Sequence, residues 1–176
     1  MEEKKTTITS DNIDKITDKI YLGDIDGANE IDYLRQEGIT HIISLTGEEF
    51  CPKYEDGLFK RKIIDIEDFT TENIFKYFKE CIKFIENSIK IYIHCMAGVS
   101  RSPSIVIAYL MWKEQKGYYD TYFAVKNKRK FIGPNMGFVM QLKYFEEQLK
   151  ENNYDLEKID FNNCLILNEL KKKFGD

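Results

Sequence analysis

The stretch IHCMAGVSRSP, residues 93–103, holds a cysteine and an arginine with five residues between them, one a glycine. It runs from the apolar end of a predicted strand into a predicted helix start at Ser102, with Pro103 in the first turn, where a missing N–H costs nothing. A helix start offers unpaired N–H groups and a partial positive charge, which together bind anions. If the loop curls into a cradle, the amides of Met96, Ala97, Gly98, Val99, Ser100 and Arg101 face inward, with Arg101 on the rim. A guanidinium grips two oxygens of a phosphate-like group. The same positive field favours a thiolate at Cys95. The chemistry expected of this pattern is nucleophilic attack by sulfur on a bound oxyanion.

The elements that must hold this loop follow from periodicity. Strands are predicted at Lys19–Leu22, Thr40–Leu45, Lys62–Ile66 and Lys90–His94, the second of them rich in β-branched residues. Helices are predicted over Gly27–Gln36, Glu72–Asn87, Ser102–Gln115, Asp120–Lys130 and Gly137–Lys150. Residues 46–59 read as a loop. Residues 1–15 read as a flexible segment, 16–150 as the main folded domain, and 151–176 as a partly helical extension around Leu165, Ile166, Leu167 and Leu170. Alternating strands and helices predict an α/β fold: a central mixed, mostly parallel sheet flanked by helices, with the cradle between a central strand and a helix N-terminus.

Composition narrows the function. The 176 residues carry 30 acidic against 26 basic side chains, a net charge of −4, which argues against holding nucleic acid by bulk charge. The longest apolar run, Ile105–Trp112, is too short to span a bilayer, and MEEKKTTITSDN does not read as a secretory signal, so no membrane role and a cytoplasmic setting (the nucleus remaining open) are expected. Neither a metal nor a cofactor is expected: the cysteines at 51, 81, 95 and 164 have no metal-ligand spacing, and histidine occurs only at 41 and 94. Cys51, Cys81 and Cys164 read as ordinary thiols. Lysine outnumbers arginine 22 to 4, which makes Arg35, Arg61, Arg101 and Arg129 each worth locating.

His94-Cys95-x-x-Gly98-x-x-Arg101-Ser102 resembles the signature of the cysteine-based protein tyrosine phosphatases. The likeness extends beyond the loop. IYLGDIDGANEIDYLRQEGITHIISLT (20–46), SIVIAYLM (104–111) and PNMGFVMQLKYFEEQL (134–149) are similar to the compact dual-specificity subfamily, over roughly residues 18–150. The resemblance implies that Cys95 attacks phosphorus to form a phosphocysteine. It implies that the 96–101 amides and Arg101 bind the equatorial oxygens, and that Ser102 assists the sulfur as leaving group. His94 and Asn135 would support the loop. A general acid is also required. The family's pattern, laid on IDIEDFTTENI (64–74), points to Asp68, with Asp65 as the alternative. Asp68 precedes Cys95 by 27 positions, somewhat fewer than the subfamily's usual spacing, and the turn near Asn87 to Lys90 is where the shortening is expected.

Within the superfamily, the length is too small for a classical tyrosine-specific domain. The uncharged Met96, Ala97, Val99 and Ser100 disfavour a phosphoinositide headgroup, and Ser-Pro after the arginine differs from the Thr-Gly of RNA triphosphatases. The expectation is a small, atypical dual-specificity phosphatase acting on phosphoprotein. A catalytically weak phosphate-recognition or scaffold protein of the same fold is the alternative. Oligomeric state is not legible.

Overall fold

The computed structural model describes residues 7–175. Five strands form one sheet in the order β1-β2-β5-β3-β4: β1 Ile13–Lys15, β2 Ile20–Gly23, β3 His41–Ser44, β4 Lys60–Ile63 and β5 Ile91–His94. β1 pairs antiparallel with β2, and the other pairings are parallel. The mixed, mostly parallel sheet between helices is therefore observed as expected. β5 is the central strand, so the loop that follows it opens at the middle of the sheet's carboxyl edge, where parallel α/β sheets place their ligands.

Side-chain alternation divides the core in two. Ile20, Leu22, Ile43, Ile91 and Ile93 face one layer, containing α3 (Phe78–Glu86), α4 (Arg101–Glu114), α5 (Tyr118–Lys128) and α6 (Met136–Glu151). Tyr21, Ile42 and Tyr92 face the other, beneath α1 (Ile25–Ala28) and α2 (Ile31–Gln36). Because both faces are covered, the inner strands are buried throughout. α4 runs between α3, α5, α6 and the sheet, and every residue from Ser102 to Met111 is buried. A helix apolar on all sides fits that position. Its N-terminus is consequently fixed by the whole core.

Several boundaries differ from the sequence expectation. The segment 1–15 is not uniformly loose: Ile13 is buried and Ile13–Lys15 form the edge strand, while residues 1–6 lie outside the described chain. The single helix expected over 27–36 is two short helices. Asp24 caps the first by accepting from Gly27 N at 2.9 Å, and Asn29 Nδ2 donates to Ile25 O at 2.9 Å, which closes that helix after one turn. The strand expected over 62–66 lies at Lys60–Ile63, because β3 ends at Ser44 and leaves residues beyond Ile64 without a partner strand. The 72–87 helix begins with a 3-10 turn at Phe75–Tyr77.

In the C-terminal extension, α7 spans Leu167–Phe174, with Leu165 and Ile166 in the turn before it. Phe161 stacks on Phe75 with ring centroids 5.1 Å apart, and Trp112 Nε1 donates to Tyr154 O at 3.0 Å. The extension is thus part of the core. Phe161→Ala is expected to lower unfolding stability by about 3 kcal/mol in urea titration, without changing the specific activity of the folded protein.

Candidate active site

Cys95 begins the loop after β5 and is almost fully buried. Ser102 Oγ donates to its Sγ at 3.2 Å from the first turn of α4. Every carbonyl from Cys95 to Ser100 is held from outside the loop. Cys95 O faces His94 Nδ1 at 3.2 Å, and Met96 O accepts from Ile25 N at 3.1 Å. Gly98 O accepts from Arg129 Nε at 3.0 Å, with Ala97 O more weakly held by the same guanidinium at 3.5 Å. Val99 O accepts from Gly133 N at 2.7 Å, and Ser100 O from Ser104 Oγ at 2.8 Å. In a trans peptide the carbonyl and the following N–H point oppositely. Turning six carbonyls outward therefore turns the amides of residues 96–101 inward. Gly98 completes the curl at φ +64°, where a Cβ would meet Gly23 O at 2.5 Å.

His94 is fully buried between the sheet and the loop. Burial pushes its pKa down to about 4, so the ring is neutral near pH 7. A carbonyl can only accept, so Nδ1 carries the proton towards Cys95 O, and Nε2 accepts from Ser44 Oγ at 2.7 Å. Arg101 NH1 donates to Ile66 O at 3.0 Å, while its Nε is buried without a hydrogen-bond partner. An orphaned guanidinium donor beside converging amides is a site prepared for an anion.

Asp68 stands on the loop after β4, and its Oδ1 accepts twice: from Ser100 Oγ at 2.6 Å and from Asn135 Nδ2 at 2.8 Å. Asn135 N donates to Ser100 Oγ at 2.9 Å, closing a triangle. Asn135 Oδ1 also caps α6 by accepting from Phe138 N at 2.9 Å. The supporting role expected of Asn135 is thus joined to a helix cap in one side chain. The loop carrying Asp68 is pressed so closely on α6 that a Cβ at Gly137 would lie 1.8 Å from Thr70 O. Asp65, the alternative acid, makes no hydrogen bond to the 95–101 loop; its carbonyl accepts from Tyr77 Oη at 3.5 Å.

Cys95, Met96 to Ser102, His94, Asp68 and Asn135 are therefore brought together. Arg129, to which the sequence pattern assigns no role, joins them. It is 1% exposed, paired with Asp14 at 2.8 Å and facing Asp24 at 3.8 Å, and it carries the Gly98 carbonyl. The only sequence signal was an arginine in a chain that otherwise prefers lysine. Among the described residues no acidic, histidine and cysteine cluster could hold a metal ion, and no helix is long and apolar enough to cross a membrane.

Two outcomes follow from this geometry. The fold holds neutral His94, so the stability tied to it is full above about pH 6.5 and is lost as pH falls towards about 4. With two histidines in the chain, an NMR titration should show one imidazole still neutral at pH 5; two midpoints above pH 6 would contradict the assignment. Arg129→Lys cannot reproduce the fork and should lower turnover by about tenfold or more with the fold retained by circular dichroism.

The profile of the dual specificity phosphatase catalytic domain matches residues 20–148. Dual specificity protein phosphatase 22-A of Danio rerio is 39% identical over 138 residues, covering 76% of this chain and 65% of that protein. MAP kinase phosphatase with leucine-rich repeats protein 1 of Dictyostelium discoideum is 42% identical over 141 residues, 78% of this chain but 16% of that protein. The chain thus spans less than two thirds of the length of these two relatives. The crystal structure of DUSP15 superposes with a TM-score of 0.74 at 31% identity, covering 94% of this chain and 99% of that one. With that profile spanning most of the sequence and the cradle intact, the chain belongs to the family of dual specificity phosphatase catalytic domains.

Proposed function

We propose that this chain hydrolyses phosphomonoesters on phosphoproteins, tyrosine as well as serine and threonine, through a phosphocysteine at Cys95. The observation that carries the reading is the outward pinning of the Cys95–Ser100 carbonyls beside the unpartnered Nε of Arg101. Six inward amides and a guanidinium stabilise the equatorial oxygens of a transferring phosphoryl group. Cys95 Sγ attacks in line; the S–P bond forms as the P–O bond to the substrate breaks. Asp68 gives its proton to the departing oxygen. Its Oδ1 already accepts two hydrogen bonds, so Oδ2 is the oxygen left to carry that proton. Water then attacks phosphorus, Asp68 takes its proton, and the P–S bond breaks with the thiolate received by the Ser102 hydroxyl.

Each residue of the signature has work in this scheme. His94, neutral and bonded at both nitrogens, fixes the peptide that launches the nucleophile. Asn135 and the Ser100 side chain hold the acid, while the Ser100 amide serves the cradle. No step calls for a metal or cofactor. The proposed setting is the cytoplasm or nucleus, where phosphoproteins occur and a catalytic thiol stays reduced.

Hydrolysis of p-nitrophenyl phosphate in EDTA tests the reading. The wild type should turn over, and Cys95→Ser should be inactive yet folded. Asp68→Asn should lower kcat by about a hundredfold with little change in KM; the same loss in Asp65→Asn instead would overturn the acid assignment. A folded, reduced wild type without activity would favour the phosphate-recognition protein.

A further inference from the structure

α6 carries one side chain that apolar packing does not explain. Gln141 is fully buried and shares the core stripe of that helix with Phe138, Leu142 and Phe145. Glutamine is rarely buried, because its amide must find partners for a carbonyl oxygen and an NH₂ group. All the partners of Gln141 are backbone groups. Oε1 accepts from Ile74 N at 2.9 Å and from Phe75 N at 3.0 Å. Nε2 donates to Glu72 O at 2.8 Å and, more weakly, to Gly137 O at 3.3 Å within its own helix. Three of these four bonds therefore go to the segment 72–75, remote in sequence from α6. Ile74 and Phe75 open the 3-10 turn that precedes α3, where helix geometry leaves amides without partners.

The same segment ends the loop that carries Asp68. At the other end of that loop Ile66 O accepts from Arg101 NH1 at 3.0 Å. Between these anchors none of residues 67–73 is buried, so hydrogen bonds rather than apolar packing decide where the loop sits. Glu72 N donates to Phe69 O at 3.1 Å, closing a turn that makes Phe69–Glu72 one piece. A hold on the Glu72 carbonyl is thus passed to the residue next to Asp68. Two further contacts come from the same helix: Asn135 holds the Asp68 carboxyl, and Gly137 lies against Thr70. Residues 135–141 rise by about 9 Å along α6. One rigid element therefore meets the loop at its acid, its turn and its end, and Gln141 supplies the end. Methionine would fill the same space with neither donor nor acceptor.

Resting on the phosphatase reading above, we infer that Gln141 is a positioning residue for the general acid: by tying Glu72, Ile74 and Phe75 to α6 it fixes the loop from which the Asp68 carboxyl reaches the departing oxygen. It touches neither the substrate nor the reacting atoms. Its bonds are all to the acid loop and to its own helix, and none is to the 95–101 cradle. Loss of those bonds therefore weakens proton delivery and leaves anion binding alone.

The test compares phenyl phosphate with p-nitrophenyl phosphate. Phenolate needs a proton to leave, whereas p-nitrophenolate leaves with less help, so the ratio of their kcat/KM values reports on the acid. Gln141→Met should lower kcat/KM by about tenfold for phenyl phosphate and by about threefold or less for p-nitrophenyl phosphate. Inhibition by vanadate, which reads the cradle, should stay within about twofold of wild type. A loss of folded protein would lower both rates together and leave the ratio alone. In an Asp68→Asn background, Gln141→Met should not move the ratio further. Gln141→Glu keeps the acceptor for Ile74 and Phe75 and loses the donor to Glu72, so a smaller fall in the ratio, about threefold, is expected; this variant decides the matter if the methionine protein does not fold. A ratio that a folded variant leaves unchanged overturns the inference. So does vanadate affinity that falls with the rate, or a fall in the ratio that persists without Asp68. A wild type that hydrolyses neither ester fails at the phosphatase reading itself, and the role of Gln141 falls with it.

Discussion

Six consecutive carbonyls, from Cys95 to Ser100, must all point away from the space they surround. Left to itself a turn of this length would satisfy its carbonyls in several ways, most of which would not gather the amides. Here the partners come from every direction: the His94 ring below, the start of α1, the Arg129 side chain, the Gly133 amide and the second residue pair of α4. Each bond is of ordinary strength, about 1 kcal/mol net. Their joint effect is to assemble the anion site before any anion arrives, which is what electrostatic stabilisation of a transition state requires. The surrounding fold makes sense as the means of supplying those partners. β5 delivers the loop at the centre of the sheet, α4 fixes its far end in the core, and the edge strand brings Asp14 to hold Arg129.

The proposed acid is tied to the same loop. Ser100 contributes its backbone to the cradle and its hydroxyl to Asp68, and Asn135 holds both. A shift of the Asp68 loop would therefore disturb the cradle through Ser100. Positioning of nucleophile, anion site and acid is one mechanical unit, and the close approach of Gly137 to Thr70 leaves little room for that unit to loosen.

What could be read from the sequence was the local part. The cysteine, glycine, arginine and serine of the signature lie within eight residues, and strand-loop-helix order alone says that they face one pocket. The central sheet was legible because β3 and β5 are apolar on both faces. Arg129 was not assigned a role because its partners, Gly98, Asp14 and Asp24, are remote in sequence and no local pattern predicts their meeting. The Ser100–Asp68 bond was missed for the same reason: it joins loops 32 positions apart. The apolar stripe over 27–36 overstates the early helix because the Asn29 side chain, rather than the stripe, decides where it breaks. The edge strand was hidden in a polar stretch, with Ile13 and Ile16 as its only apolar hints.

The central claim is that the pre-formed cradle serves phosphoryl transfer to sulfur. The direct measurement is rapid acid quench of the protein with p-nitrophenyl phosphate, followed by mass spectrometry of the peptide containing Cys95. The account predicts a phosphoryl group on Cys95 that forms within the first turnover and decays as substrate is exhausted. Turnover without any phosphorylated cysteine, or with phosphate on another residue, would contradict it.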